Sequence, residues 1–270
     1  MNEIITSTAN PKIKQIRKLR DRKERQASGL FLLEGLRIVG DAFDQAAKIE
    51  TLIYAPELLK SEFGEKLVEN AVKTNIPILQ VNADVFRSLS SKEGPQGIAA
   101  VAQQNWTNLD EVIPGKGDLW VALDSVADPG NLGTIMRTLD AVGGKGIILL
   151  DNCTDPYDPS SMRASMGSIF TINIVKSNLN EFEIWKKQQA VMLVGTSDRA
   201  ECDYESAQYT PPLVLLMGSE RMGLQARHFA LCDQVVSIPM RGAMDSLNLA
   251  VATGIMLYQI HSFQRKHTTV

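Results

Sequence analysis

The chain of 270 residues has only three cysteines, Cys153, Cys202 and Cys232, and they stand far apart. None forms a CxxC pair. That argues against a zinc centre or other metal site and against a disulfide framework, and makes a reducing cytoplasm the expected setting. No apolar run approaches the roughly 20 residues that span a bilayer, so no membrane partner is expected. The opening stretch, MNEIITSTANPKIKQ, is polar and lacks the apolar segment of a secretory signal. There is no internal repeat and no low-complexity tract. An excess of positive charge is also missing: the net charge is −3, which taken alone argues against a nucleic-acid partner. What is present is ordinary globular composition, 44% apolar and 22% charged, at a length that suits one large domain or two ordinary ones.

The charge is not evenly spread. Lys12, Lys14, Arg17, Lys18, Arg20, Arg22, Lys23 and Arg25 crowd into one short stretch with only Asp21 and Glu24 against them. The local balance is +6 and leaves −9 for the rest of the chain. A basic arm on an acidic body is a footprint of polyanion binding. The same residues also suit a solvated amphipathic helix with Ile13, Ile16 and Leu19 turned inward.

Residues 10–26 read as one basic helix, within an N-terminal arm spanning 1–27. From residue 30 onward an apolar helical period runs through Leu36, Val39 and Phe43. A strand near 51–54, a helix over 56–74, a strand over 76–81, a short helix over 82–90 and a strand over 96–103 complete a small α/β unit, residues 28–103. Residues 104–117 are polar, with Pro114, Gly115 and Gly117, and read as a linker. A second α/β unit, 118–270, follows. Its strands, LWVALD, KGIILLD, FTINIVK, AVMLVGT, PPLVLLMG and QVVSIPM, include near-continuous apolar runs of the kind buried on both faces of a parallel sheet.

Three stretches of the second unit carry chemistry. In DPGNLGTIMRTLDAVG (128–143) a glycine-bearing turn opens a helix. The glycine spacing is not that of a GxGxxG dinucleotide fingerprint, and no acidic residue follows at the expected place, which speaks against a nicotinamide dehydrogenase. At about 100° per residue, Leu132, Ile135, Leu139 and Val142 share one face and Arg137 lies opposite. Arg137 therefore faces water, a ligand or another subunit. In LLMGSERMGL (215–224) a buried strand ends in Gly218-Ser219-Glu220, at the carboxyl edge where open α/β sheets bind ligands. Glu220 also suits the first turn of a helix. In VSIPMRGAMDSLNLAVATGIMLYQI (236–260) a strand and loop lead to a helix that Ser246 or Asp245 is placed to cap. That helix is apolar nearly all round, so a subunit interface is expected on it as well as a core face.

Asn131 with Arg137 six residues on, then Gly218-Ser219-Glu220, then Ile238-Pro239 and Ser246-Leu247-Asn248, in that order, closely resemble the three motifs of the SpoU-type (TrmH-like, SPOUT class) RNA 2′-O-ribose methyltransferases. TSTANPKIKQIRKLRDRKERQASGLFLLEGLRIVGDA and EGPQGIAAV look like the substrate-binding domain that many rRNA-acting members carry in front. The resemblance implies a ribosomal-protein-like α/β RNA-binding domain followed by an α/β domain tied in a trefoil knot. It implies S-adenosylmethionine as cofactor, held near Gly195, Thr196, Gly218, Ile238 and Leu247, and a homodimer through the knot domain. Asn131, Arg137, Glu220, Ser246 and Asn248 become the catalytic set: the asparagines hold the ribose and loops, Glu220 orients Arg137 or Asn131, and Ser246 fixes the third loop. Arg137 is the family's proposed base. A guanidinium is essentially always protonated, so phosphate binding and oxyanion stabilisation is the plainer role. The three histidines, His228, His261 and His267, lie outside the motifs. The basic arm would grip structured RNA, rRNA in preference to tRNA. Alternatives are the same chemistry on tRNA, or a non-catalytic RNA-binding or ribosome-assembly factor.

Overall fold

A computed structural model of the chain describes residues 4–267. The described residues divide into two compact units, one of residues 4–104 with 157–162 and the other of residues 105–156 with 163–267.

The first unit holds α1 (Pro11–Lys18), α2 (Arg22–Ser28), β1 (Leu30–Glu34), α3 (Leu36–Asp44), β2 (Ile49–Tyr54), α4 (Glu62–Lys73), β3 (Ile78–Gln80), α5 (Ala83–Leu89) and β4 (Ile98–Gln103). Its sheet runs β1-β4-β2-β3, antiparallel except for the β2–β3 pair. The basic stretch is two helices rather than one. The chain turns at Leu19, whose carbonyl is already occupied, and the Asp21 carboxylate accepts the backbone N–H of Lys23 to start a second helix. The helical reading of residues 30–35 is also corrected. Phe31 and Leu33 alternate inward as a strand, and Gly35, at φ 115°, makes the break before α3 that other residues would resist.

This stretch is not a detached arm. Ile13, Ile16 and Leu19 are buried in the unit's core with Val85, Phe86 and Leu89 of α5. Arg17 donates to the Ser88 hydroxyl at 2.8 Å, and Arg20 donates to the carbonyls of Ser88 and Ser90. Lys12, Lys14, Lys18, Arg22 and Lys23 stay exposed. Arg25 does not: it is 1% exposed, donates to the carbonyls of Leu19 (2.9 Å) and Arg20 (2.7 Å), and pairs with Asp158 at 3.6 Å. Its expected place among the RNA contacts is therefore withdrawn, since its donors close the turn between α1 and α2.

The second unit holds β5 (Leu119–Asp124), α6 (Pro129–Ala141), β6 (Gly146–Leu150), α7 (Pro159–Ser165, shared with the first unit), β7 (Asn173–Ser177), α8 (Leu179–Gln188), β8 (Met192–Thr196), β9 (Cys202–Asp203), β10 (Leu213–Met217), α9 (Ala226–Leu231), β11 (Gln234–Ser237) and α10 (Leu249–His267). Its seven strands, all parallel, run β7-β6-β5-β10-β8-β11-β9. β6 and β10 are buried along their whole length, as continuous apolar runs require. The two-residue β9 was too short to leave a periodic signal. Residues 105–117 pack into this unit instead of spanning free space: Leu109 and Val112 enter its core, and the Trp185 indole N–H donates to the Val112 carbonyl at 2.9 Å.

Arg25→Ala should destabilise the protein by about 2–3 kcal/mol, because two carbonyls and a carboxylate lose their donor. Lys18→Ala should change stability by less than about 0.5 kcal/mol. Denaturant unfolding of the two variants checks the contrast.

Candidate active site

The parallel register pairs Met217 of β10 with Leu123 of β5, which sets the residues after both strands side by side at the carboxyl edge. β5 leads through Ser125–Ala127 to Asp128, whose carboxylate accepts the Asn131 N–H at 2.8 Å and caps α6, with Pro129 at the first turn. β10 leads into a tight loop in which Gly223 N–H returns to the Ser219 carbonyl at 3.0 Å. Gly218 is needed there: an added Cβ would sit 2.2 Å from the Gly223 carbonyl group.

That loop presents Glu220. Its carboxylate accepts the backbone N–H groups of Ala127 (3.0 Å) and Asp128 (3.2 Å) and the Asn131 side-chain amide (3.2 Å). Burial raises the Glu220 pKa, but these hydrogen bonds outweigh it and the net shift is downward. Asn131 Oδ1 in turn accepts the Asn248 side-chain N–H at 2.9 Å. Asn248 Oδ1 accepts Ala250 N–H (2.9 Å) and Val251 N–H (3.3 Å), so Asn248 caps α10. Each amide keeps a second N–H for a ligand.

Around this chain of hydrogen bonds lies a cleft of about 670 Å³, whose lining includes Thr196, Met217, Leu224, Ile238, Leu247 and Ala252. Four carboxylates, Asp128, Asp198, Glu220 and Asp245, line it against two guanidinium groups, Arg199 and Arg221, so the cleft favours a cation. The Thr196 hydroxyl is buried and has no hydrogen-bond partner among the described residues.

Residues 118–258 match the SpoU rRNA methylase family, and residues 10–100 match the MRM3-like substrate-binding domain. The chain belongs to the SpoU rRNA methylase family. It is a family of RNA 2′-O-ribose methyltransferases, and some of its members have been solved with S-adenosylmethionine bound. A 23S rRNA (uridine(2479)-2′-O)-methyltransferase of Streptomyces viridochromogenes is 33% identical over 89% of this chain and 85% of its own length. The 23S rRNA (guanosine(2553)-2′-O)-methyltransferase RlmP of Bacillus subtilis is 29% identical over 95% and 98%. The crystal structure of an AdoMet-bound rRNA methyltransferase from Sinorhizobium meliloti superposes with a TM-score of 0.89, at 38% identity, over 99% of both chains.

As a SpoU methylase, the chain has a cleft that suits its cofactor. The apolar wall can face an adenine ring, the unpartnered Thr196 hydroxyl offers a hydrogen bond, and the acidic balance suits a sulfonium cation. Of the residues expected at the cofactor, Thr196, Ile238 and Leu247 line the cleft. Gly195 and Gly218 stand behind it and act by leaving room. A Cβ on Gly195 would lie 2.7 Å from Leu224 Cδ1. Of the expected catalytic set, Asn131, Glu220 and Asn248 meet directly. Glu220 engages Asn131 and not Arg137. Ser246 lines the cleft, where among the described residues its hydroxyl meets only the neighbouring Asp245, at 3.4 Å. Neither it nor Asp245 caps the helix, a role that Asn248 takes. Arg137 is exposed on α6 and is not part of the cleft wall.

One pair had no signal in the sequence. His228 of α9 is 2% exposed; its Nδ1 accepts Gln225 N–H at 2.9 Å and its Nε2 lies 3.1 Å from Asp124 Oδ2. The histidine contact holds the Asp124 carboxyl below its ordinary range, against burial, with help from the Ser125 hydroxyl.

Two outcomes are expected. Gly218→Ala forces the loop off the strand end, so cofactor binding should weaken at least tenfold and stability should fall by about 1–3 kcal/mol, read by calorimetric titration and thermal unfolding. A depressed carboxylate contributes fully above its unfolded value, so the Glu220 contribution should be complete above about pH 4.5 and be lost as pH falls through its lower folded value. A pH series of stability on wild type and Glu220→Gln reads this, and the two should converge at the acid end.

Proposed function

We propose that this SpoU methylase moves a methyl group from S-adenosylmethionine to a ribose 2′-hydroxyl of 23S rRNA. The observation that carries this reading is the hydrogen-bonded chain Glu220–Asn131–Asn248 on the wall of a cation-favouring cleft. The cofactor supplies an electrophilic methyl group on a sulfonium. The residues contribute placement. Glu220 holds Asn131 by one amide hydrogen, and Asn131 holds Asn248 through its carbonyl oxygen, so both amides are oriented before substrate arrives. Such preorganisation is what an in-line displacement needs most. Their remaining N–H groups position the ribose.

Arg137 is given the electrostatic role. It is exposed, makes no hydrogen bond or ion pair among the described residues, and carries the permanent charge of a guanidinium. It is suited to a phosphate beside the target ribose and to charge developing on the 2′-oxygen. Lying off the cleft wall of its own chain, it supports a homodimer in which two copies complete each site. An apolar stripe on α10 supports the same reading: Val251 and Tyr258 are 52% and 55% exposed, with Ile255 between them. The helix is not bare all round, as Ala250, Thr253, Met256, Leu257 and Ile260 are buried. The trefoil knot is supported by the path of the chain. β11 lies beyond β8, yet the segment after it returns to Asn131 and α10 packs on α6 and β10. A reducing, cytoplasmic setting is kept as part of the proposal. In the first unit the exposed Lys12, Lys14, Lys18, Arg22 and Lys23 are the proposed phosphate contacts. rRNA is favoured because two relatives that match over most of their own length are named as 23S rRNA enzymes.

Mapping of ribose methylation in 23S rRNA from cells with and without the protein tests the reading, which a full set of unchanged sites would overturn. Arg137→Ala should lower single-turnover methylation about a hundred- to a thousandfold with cofactor affinity kept. Replacing Lys12, Lys14, Lys18 and Lys23 together should instead weaken RNA binding and flatten its salt dependence, with turnover at saturating RNA retained. Light scattering at micromolar concentration should give a dimer mass, and Val251→Asp with Tyr258→Asp should give a monomer.

A further inference from the structure

We propose that His228 and Asp124 are positioning residues, which tie the loop carrying Glu220 to the strand end that leads into Asn131 and so hold the cofactor cleft in shape. The inference rests on the reading of that cleft as the S-adenosylmethionine site. Neither residue lines the cleft, and neither has a part in the methyl transfer described above.

Two of the chain segments that form the wall run from the end of β5 (124–131) and from beyond β10 (219–228). They are joined twice. At the mouth, Glu220 takes the N–H groups of Ala127 and Asp128 and the amide of Asn131. The second link is His228 to Asp124, which lies outside the cleft lining. One link alone is a pivot, whereas two fix both spacing and tilt. Leu224, which lines the cleft, lies between the two links on the second segment and is 2% exposed. The turn on the first segment is strained: Ser125 is held at φ 54°, while its hydroxyl donates to Asp124 Oδ1 at 2.8 Å. Asp124 thus anchors both the strained turn and α9.

The imidazole has a defined tautomer. Nδ1 accepts the Gln225 N–H, so the ring proton sits on Nε2, facing the Asp124 carboxylate. That contact is short but is not a well-aligned hydrogen bond. Burying a polar ring beside a carboxylate costs more than burying leucine. A helix that needed only core packing at this position would be served by an apolar side chain.

The two nitrogens can be tested apart. The amide oxygen of H228N can still accept the Gln225 N–H but its nitrogen falls short of Asp124. The longer H228Q can donate to Asp124 but leaves the Gln225 N–H bare. Both variants should lose similar thermal stability. Calorimetric titration of the full-length wild type and both variants with S-adenosylhomocysteine separates the roles. H228N should raise Kd about tenfold, and H228Q should stay within about threefold of wild type. A Kd for H228N equal to wild type overturns the proposal, as does H228Q binding as weakly as H228N, either leaving the cleft assignment intact. Failure of wild type to bind at all overturns the cleft assignment and this proposal with it.

Discussion

One carboxylate gathers the working parts of the second unit. Glu220 lies on a loop that a glycine contact presses against the end of β10, and it reaches across to two backbone N–H groups and one side-chain amide at the start of α6. Those backbone donors lie just ahead of the capped helix, where partial positive charge favours an anion. Asn131 is thereby held, and through it Asn248 and the start of α10. Remove the carboxylate and two loops and two helix ends lose their common reference. Its lowered pKa follows from the same fact: three donors stabilise the charged form more than partial burial penalises it.

How far this was legible depends on where the information sits in the chain. The strands of the second unit were plain because a parallel sheet covered on both faces needs unbroken apolar runs, and LWVALD and LVLLM are such runs. Asn131, Glu220 and Asn248 were visible as motif residues, but nothing local says that one accepts from the next. Arg25 shows the opposite limit. In sequence it is one more cation among eight, and only the turn at Leu19, with carbonyls left to satisfy, draws it inside. The strand β1 was hidden because only Glu34 and Gly35 separate its apolar residues from those of α3. His228 and Asp124 were illegible because their relation is set entirely by β10 lying beside β5.

The basic stretch illustrates how one run of charge can carry two duties. Packing of Ile13, Ile16 and Leu19 turns one side of α1 toward the core, and Arg17 and Arg20 spend their donors on α5 at that boundary. The lysines point the other way, and a lysine with no partner holds its ammonium in water at little cost in order. The division matters for affinity, since only cations still hydrated and free to meet phosphate release counterions when they bind.

A similar separation of charge governs the cleft. Its acidic balance suits a cationic cofactor, and an additional guanidinium directed into it would oppose that cofactor at short range. Arg137 stands off the wall, on the exposed side of α6, while the amides on the wall, Asn131 and Asn248, are neutral. Neutral amides can hold a ribose hydroxyl without repelling a sulfonium. In its proposed role Arg137 acts once RNA brings its own negative charge, and that charge offsets the repulsion between the two cations. On the proposed role, an arginine kept outside the cofactor cavity lets cofactor binding and RNA capture proceed without mutual penalty, and reserves the guanidinium for the state in which the 2′-oxygen becomes negative.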